Sequence, residues 1–329
     1  MGGGEVTERP TAEQIESLFV GALPRYTRIQ VAGLAGVPQD LAERIWRALG
    51  FATLADDAVA FTEADVATLK RVRAMMEEGL DDQTVVRLAR ALGQTTARLA
   101  QWQAEIMIGT MLGPDERPTE SDLAAIMELS RRLLPDFERV LVHVWRAQLA
   151  AAGTRLLAIT DLTDEVVPSR LTLAVGFADL VSFTQVSRQL SERALADLVE
   201  GFESRASDVV AAHGGRLVKT LGDEVLFTAV SPRMAAAIAL EFVDVIRRYG
   251  PEVRIGLAYG PVLPVMGDVF GTTVNLAARL TAIARPGTVI VDDGFAGAVA
   301  GAPGIQTGRL RQRPARGLGV VRPYVLRRA

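Results

Sequence analysis

The sequence has 329 residues, of which 49% are hydrophobic and 23% are charged, and its net charge is −3. This length and composition predict a packed globular protein with two domains. The small net charge gives no general attraction to nucleic acid or to an anionic membrane, and the absence of cysteine excludes disulfides and thiolate metal sites. No apolar run reaches the length of a membrane span, and the residues after Met1 do not form a secretory signal. We therefore expect a cytoplasmic protein.

Residues 11–150 have the apolar periodicity of helices almost throughout. Thr62 and Asp65 form a capping-box pattern, which marks the start of one helix, and Gly93 is expected to separate two others. A kink is expected at Pro135, inside the longest helical pattern. The predicted helices of this half cover residues 63–78, 83–92, 95–111 and 121–157.

After Pro168 the pattern changes to short apolar runs that alternate with helices. The predicted strands cover residues 170–178, 215–220, 224–229, 252–259, 287–292 and 320–326. The predicted helices cover residues 182–190, 192–212, 232–249, 272–284 and 293–299. The order β-α-β-β-α-β is that of a ferredoxin-like sheet with helices on one face. The chain is therefore predicted to be an α+β protein, with an all-α first half and an antiparallel-containing sheet in the second.

Two aspartates lie at turns beside predicted strands of the second half. Asp179 ends the first apolar run, and Asp223 lies in the hairpin turn that begins at Gly222. If the two strands are neighbours, both carboxylates project from one edge of the sheet. Carboxylates without nearby cysteine or histidine suit hard divalent cations such as Mg²⁺, and such metal sites serve displacement at phosphorus. This pattern indicates nucleotide chemistry, with ordinary turn aspartates as the alternative.

Four blocks in this half occur in a characteristic order: Phe177–Thr184, Lys219–Asp223, Arg254–Leu257 and Gly267–Arg279. On these blocks, residues 168–329 resemble the catalytic domain of class III nucleotidyl cyclases. The resemblance implies conversion of ATP to 3′,5′-cyclic AMP and pyrophosphate by attack of the ribose 3′-hydroxyl on the α-phosphate. It also implies that Asp179 and Asp223 hold two Mg²⁺ or Mn²⁺ ions per site.

The resemblance assigns base recognition to Lys219 and Asp268. Lysine would donate to N1 of adenine, and aspartate would accept from the N6 amine. Guanine presents the opposite pattern at these positions, so the pair is expected to favour ATP over GTP. The alternative for Lys219 is a solvated lysine at a strand end.

Further substrate contacts follow from the same resemblance. Asn275 and Arg279 share a helix face, where they would position the ribose and stabilise charge on the α-phosphate in the transition state. Phe183 and Thr184 match the loop whose N–H groups cradle phosphate oxygens. Ser182 stands in this loop where the family usually has glycine.

Two arginines and a partner subunit complete the implied site. Arg254 resembles an arginine that contacts the triphosphate, and Arg316 resembles a basic residue that grips the terminal phosphates. A tail of scattered surface arginines is the alternative for Arg316. In the resembled family the metal-binding aspartates come from one subunit, and the purine-reading and transition-state residues come from its partner. This implies a head-to-tail homodimer with two equivalent sites.

The first half contains four short blocks in order: Val31–Pro38, Trp46–Phe51, Phe61–Asp65 and Gly79–Asp81. On these blocks, residues 29–103 resemble the winged helix-turn-helix of MerR-like regulators. The same layout is similar to the N-terminal regulatory domain of mycobacterial-type soluble adenylyl cyclases. Residues 1–110 hold 15 acidic and 11 basic side chains, which disfavours DNA binding, so no nucleic-acid partner is expected. The second resemblance implies a domain that restrains the cyclase and responds to pH.

The segment 121–157 is expected to couple the two halves. The only histidines are His143, inside this segment, and His213; either could titrate near neutrality, with a buried structural histidine as the alternative. The methionines of the helical half could enclose a small apolar ligand, although ordinary core packing is the alternative. These methionines are Met75, Met76, Met107 and Met111.

The predicted domains are a regulatory domain over 1–120, a coupling helix over 121–165 and a catalytic domain over 166–329. A diguanylate cyclase is one rival interpretation, because such enzymes share the sequence Gly222–Glu224. Their motif has glycine in place of Leu221 and phenylalanine in place of Val225, so this sequence departs from it at both positions. A DNA-binding transcriptional regulator with a nucleotide-sensing domain is the non-enzyme alternative. The residues favour an adenylate cyclase regulated by its first half.

Overall fold

The structure is a computed structural model, and it describes residues 11–52, 54–111, 119–160, 171–315 and 319–329. Contacts divide the chain into two compact units, Met1–Ala150 and Ala151–Ala329. Among the described residues, one hydrophobic cluster lies in the first unit and two lie in the second.

Helices dominate the first unit. They are α1 (Ala12–Val20), α2 (Arg28–Ala35), α3 (Gln39–Leu49), α4 (Glu63–Glu77), α5 (Asp82–Met111) and α6 (Glu120–Thr160), the last of which continues into the second unit. A two-stranded antiparallel sheet of β1 (Tyr26–Thr27) and β2 (Val59–Phe61) accompanies them, so this half is not purely helical. The predicted capping box is present, since the Thr62 N–H donates to Asp65 Oδ2 at 2.7 Å.

Gly93 does not separate two helices, because α5 runs through it without a break. A Cβ atom at Gly93 would lie only 2.4 Å from the Leu49 carbonyl oxygen. The glycine therefore allows α3 and α5 to approach closely, which is a packing role that the sequence does not distinguish from a helix end. Helix α6 likewise continues past Pro135.

The second unit is built around a sheet. Its strands are β3 (Leu171–Leu180), β4 (Arg216–Leu221), β5 (Glu224–Ala229), β6 (Val253–Val265), β7 (Asp268–Phe270), β8 (Val289–Val291), β9 (Ile305–Arg309), β10 (Arg313–Ala315), β11 (Gly319–Val321) and β12 (Tyr324–Arg328). Its helices are α7 (Phe183–Ser187), α8 (Glu192–Ala212), α9 (Pro232–Ile246), α10 (Thr272–Ile283) and α11 (Asp293–Ala298).

Within the described residues, the main sheet has the strand order β4-β5-β3-β6-β8-β12-β9, and β7 pairs with β6. Strand β3 is antiparallel to both β5 and β6, and β6 is parallel to β8. The first four strands have the order of a ferredoxin-like sheet, as the sequence predicts. The α+β fold class is therefore confirmed.

Helices cover both faces of this sheet, so the expectation of helices on one face was wrong. Ala174 and Ala178 of β3 belong to the cluster that includes α8 and α9, whereas Val175 and Phe177 belong to the cluster that includes α10. The apolar character of β3 on both faces is typical of a strand covered on both sides. Helix α10 follows the β6–β7 hairpin, which the sequence did not predict.

The predicted strand 320–326 is two strands, β11 and β12, separated at Pro323. Proline has no N–H to donate to a ladder, which accounts for the interruption. None of the described helices combines the length and the apolar character that a membrane span requires.

Candidate active site

The two predicted metal-binding aspartates come together at one end of neighbouring strands. Asp179 lies near the end of β3, opposite Glu224 of β5 and Arg254 of β6. Asp223 lies in the turn before β5, and its carbonyl accepts a hydrogen bond from the Leu180 N–H at 2.9 Å. We call the cluster of Asp179, Asp223 and Glu224 the acidic edge.

Negative charge is crowded at the acidic edge. Burial raises the pKa of Asp179, hydrogen bonding and charge from Arg254 lower it, and the charge of Asp223 raises it, with a net upward shift. Burial and the charges of both aspartates also raise the pKa of Glu224. Arg254 therefore offsets the crowding only in part, although its Nε and Nη2 atoms both lie 2.5 Å from Asp179 Oδ2.

The donor set at the acidic edge fits a hard divalent cation. Asp179 and Asp223 offer carboxylate oxygens, and a cation would relieve their mutual repulsion. Among the described residues there is no group of three or more acidic or histidine side chains that could hold a metal ion. Phosphate and water oxygens would therefore complete the coordination, as Mg²⁺ commonly requires.

Lys219 and Asp268 are 49 residues apart in the sequence, but their side chains are in contact. Lys219 Nζ donates to Asp268 Oδ2 at 2.5 Å, and Oδ1 of the same carboxylate accepts the Val269 N–H at 2.8 Å. Burial raises the pKa of Asp268, but the hydrogen bonds and charge of its neighbours, Lys219 foremost, outweigh it and lower the pKa overall. We call Lys219 and Asp268 the purine pair.

Asn275 and Arg279 lie four residues apart on the exposed side of α10. Within the described ranges, neither side chain has a hydrogen bond or an ion pair to another protein group. We call these two residues the α10 pair. Their exposure leaves both side chains available to a ligand or to a second subunit.

Two threonines that the sequence analysis missed fix α10 to the sheet. Thr273 Oγ1 donates to the Pro261 carbonyl at 2.7 Å. Thr281 Oγ1 lies 3.0 Å from the Ala277 carbonyl of α10 and 3.3 Å from the Phe177 carbonyl of β3, so its one proton is shared between the helix and the sheet. Both threonines are buried. Helix α10 also lies very close to Gly256 of β6, because a Cβ atom there would be 2.2 Å from the Thr281 backbone nitrogen. These contacts set the position of the α10 pair.

The loop after β3 has the expected place but carries strain at Ser182. This residue has φ +60° and ψ +24°, the left-handed conformation that glycine adopts more readily. Phe183 is half-buried, and its side chain packs against the core. Thr184 is exposed.

The structure gives mixed information on the remaining candidates. Arg254 contacts Asp179, as described above. Arg316 lies outside the described residues. His143 is exposed on α6 in the single chain. His213, at the end of α8, has its Nε2 atom 2.6 Å from Glu241 Oε2. Met76 packs against the core of the first unit, and an apolar ligand in that unit stays a prediction.

Both halves of the chain match protein families. Residues 21–152 match the family described as the adenylate cyclase regulatory domain, and residues 167–326 match the adenylate and guanylate cyclase catalytic domain. A solved structure, the adenylyl cyclase CyaB from P. aeruginosa, is similar at 22% identity and a TM-score of 0.44, covering 48% of this chain and 94% of that one.

Three relatives are similar over most of their length. An adenylate cyclase of Streptomyces coelicolor is 45% identical, covering 98% of this chain and 91% of the relative. An adenylate cyclase of Streptomyces griseus is 46% identical, covering 89% and 73%. The pH-sensitive adenylate cyclase of Mycobacterium tuberculosis is 30% identical, covering 89% and 76%. No finding supports a transcriptional regulator or a diguanylate cyclase. The chain belongs to the adenylate cyclase family and is an adenylate cyclase with an N-terminal regulatory domain.

Proposed function

We propose that the enzyme forms 3′,5′-cyclic AMP and pyrophosphate from ATP in a head-to-tail homodimer, with each active site built from both subunits. The purine pair is the observation that carries the choice of substrate. Its lysine donor and aspartate acceptor match the acceptor N1 and the donor N6 of adenine. The exposed α10 pair supports the shared site, because both side chains are available to groups outside their own subunit.

The acidic edge would bind two divalent cations through Asp179 and Asp223. When bound, such ions lower the pKa of the ribose 3′-hydroxyl and neutralise charge on the departing pyrophosphate. Burial is the main cause of the raised pKa of Asp179, and the charge of Asp223 adds to it, while Arg254 opposes both. A bound cation would stabilise the charged carboxylate against these effects, which supports the assignment. Arg254 would hold the Asp179 carboxylate in position before the substrate arrives and contact the triphosphate afterwards.

Base recognition would require the purine pair to exchange its internal hydrogen bond for two bonds to adenine. Lys219 and Asp268 have 36% and 25% of their side-chain surfaces exposed. A partly exposed ion pair contributes only about 0–1 kcal/mol, so adenine can replace it at small cost. Guanine would face lysine with its N1 donor and aspartate with its O6 acceptor, which leaves both pairings unmatched.

The remaining residues would act on the ribose and the phosphates. Asn275 would position the ribose, and Arg279 would stabilise charge that develops at the α-phosphate. Backbone N–H groups around Phe183 and Thr184 would contact phosphate oxygens. Arg316 would contact the terminal phosphates.

The first half would restrain the catalytic half, with α6 as the coupling element. The relative that is named pH-sensitive supports an effect of pH on this restraint. His143 is exposed on α6, where a change in its charge could alter the packing of that helix. If the His143→Ala variant has the same pH–activity curve as the parent, His143 is not the sensor.

Cyclase assays on ATP and GTP with Mg²⁺ or Mn²⁺, between pH 5.5 and 8, test the proposal. We expect cyclic AMP from ATP and little cyclic GMP, no product when EDTA removes the metal, and a pH profile that flattens when residues 160–329 are assayed alone. Equal use of ATP and GTP would contradict the assignment of the purine pair. Activity in EDTA would contradict the metal assignment.

A further inference from the structure

The turn that joins β6 to β7 has a conformation that its sequence does not favour. Val265 pairs with Asp268, and the two residues between them, Met266 and Gly267, have φ values of +52° and +81°. Positive φ at both central positions is typical of a type I′ turn, in which asparagine followed by glycine is preferred. Methionine has no side-chain group that compensates for this conformation, so the turn is strained at Met266.

An arginine from β4 contacts this turn. Arg216 Nη2 donates a hydrogen bond to the Gly267 carbonyl oxygen, one residue before Asp268. The charge of Arg216 also helps to lower the pKa of Asp268. Among the described residues, β7 pairs through its main chain with β6, and Arg216 and Lys219 connect this hairpin to β4 by side-chain hydrogen bonds.

A β-bulge brings Arg216 and Lys219 to the same face of β4. Residues three apart on a regular strand point to opposite faces. The register of β4 shifts between Leu217 and Lys219, so that Arg216 lies opposite Thr228 and Lys219 lies opposite Leu226. These two partners on β5 are two residues apart and share a face. The bulge therefore directs both basic side chains to the β6–β7 hairpin.

We infer that Arg216 is a positioning residue for base recognition. By binding the Gly267 carbonyl, it fixes the strained turn so that Asp268 stands beside Lys219 and can accept from the N6 amine of adenine. This inference rests on the proposed function, in which Lys219 and Asp268 read the purine. Arg216 itself need not touch the nucleotide.

Kinetics of the full-length enzyme with ATP and GTP test the inference. Arg216→Met removes the donor and keeps most of the aliphatic stem. We expect it to raise the KM for ATP and to lower the ATP/GTP ratio of kcat/KM about tenfold, with kcat for ATP changed less than about threefold. Arg216→Lys, which keeps a charged donor, should recover part of the ratio. Arg233→Met replaces an exposed side chain on α9 and should leave kcat/KM unchanged for both ATP and GTP.

Asp268→Asn separates failure of the inference from failure of the proposed function. If Asp268→Asn leaves the ATP/GTP ratio unchanged, the purine pair is wrongly assigned and the role of Arg216 falls with it. If Asp268→Asn lowers the ratio and Arg216→Met does not, the inference alone is overturned.

A second-site variant tests the proposed route through the turn. Met266→Asn creates the Asn-Gly sequence that type I′ turns prefer. Combined with Arg216→Met, it should restore part of the ATP/GTP ratio, and also part of the melting temperature if the single variant folds poorly. A double variant that folds as well as the parent but has the ratio of Arg216→Met alone would show that Arg216 does not act through the turn.

Discussion

The acidic edge and the purine pair belong to the same catalytic unit but differ in how their charges are balanced. At the acidic edge, burial and, to a smaller extent, the charge of Asp223 raise the pKa of Asp179 against the opposing effect of Arg254. In the purine pair, hydrogen bonds and charge from neighbours outweigh burial and lower the pKa of Asp268. The purine pair is thus electrostatically satisfied within the chain, whereas the proposed cation would stabilise the acidic edge.

The largest expected effect comes from removing a carboxylate of the acidic edge. Asp179→Asn should reduce kcat/KM for ATP by about a thousandfold or more, because charge stabilisation by a bound cation is lost. Steady-state cyclase assays measure this effect. Activity within tenfold of the parent would contradict the role of Asp179.

Asp179→Asn should lower activity but should not lower the stability of the folded protein. The folded-state pKa of Asp179 is raised, so the folded state holds its proton to higher pH than the unfolded state, and stability falls as pH rises through that window. At pH 7 Asp179→Asn removes this cost. Its melting temperature should equal or exceed that of the parent at pH 7, and the difference should vanish as the pH falls below the unfolded-state pKa of the carboxyl. A loss of stability that appears only at pH 7 would contradict the account.

Asp268→Asn sharpens the comparison, because its expected stability effect has the reverse sign. A lowered pKa contributes stability above the unfolded-state pKa, and this contribution is lost as pH falls through the folded-state pKa. The variant should melt slightly below the parent at pH 7 and equally at low pH. Its ATP/GTP ratio of kcat/KM should fall about 10- to 100-fold, because adenine loses a matched acceptor.

Placement of the α10 pair depends on close packing rather than on charge. Gly256→Ala would force a Cβ atom against the Thr281 backbone, so we expect a loss of roughly 3 kcal/mol in the free energy of unfolding. Denaturant unfolding measures it. Gly297→Ala is the matched control, because a Cβ atom there meets nothing within 4 Å. Equal stability of the two variants would contradict tight contact between α10 and β6.

The smallest effect is expected at Ser182. Ser182→Gly relieves the left-handed conformation of the loop beside the acidic edge, and we expect stability to rise by up to about 1 kcal/mol with activity unchanged. Thermal unfolding and cyclase assays check both expectations. A loss of activity would indicate that the serine side chain itself takes part in the loop's function.

Sequence reasoning predicts the elements that have strong local signals. The bounds of α8 and β5 match the predictions, because each is a regular apolar pattern enclosed by capping or turn residues. Strand β7 was missed because three residues are too few to show the apolar alternation of a strand. Gly93 was misinterpreted because a packing glycine and a helix-ending glycine have the same local sequence.

The candidate site shows a similar division. The metal-binding candidates, Asp179 and Asp223, were indicated by their positions at turns beside predicted strands. The residues named for base recognition and the transition state were found through blocks of sequence shared with a family. Arg216 and Thr281 were missed, because their roles depend on long-range contacts. A bulge in β4 directs Arg216 to the hairpin, and the packing of α10 on β3 brings Thr281 to the Phe177 carbonyl. Neither contact leaves a pattern in the local sequence.

The shared active site is the central claim, and subunit complementation tests it most directly. Asp179→Ala and Asn275→Ala chains, each inactive alone, should regain about a quarter of parental activity when co-expressed in equal amounts, because half of the dimers then hold one intact site. Co-expression of Asp179→Ala with Asp223→Ala, which damages the same half of the site, should regain none. Failure of the first pair to complement, in dimers verified to be mixed, would contradict a site built from two subunits.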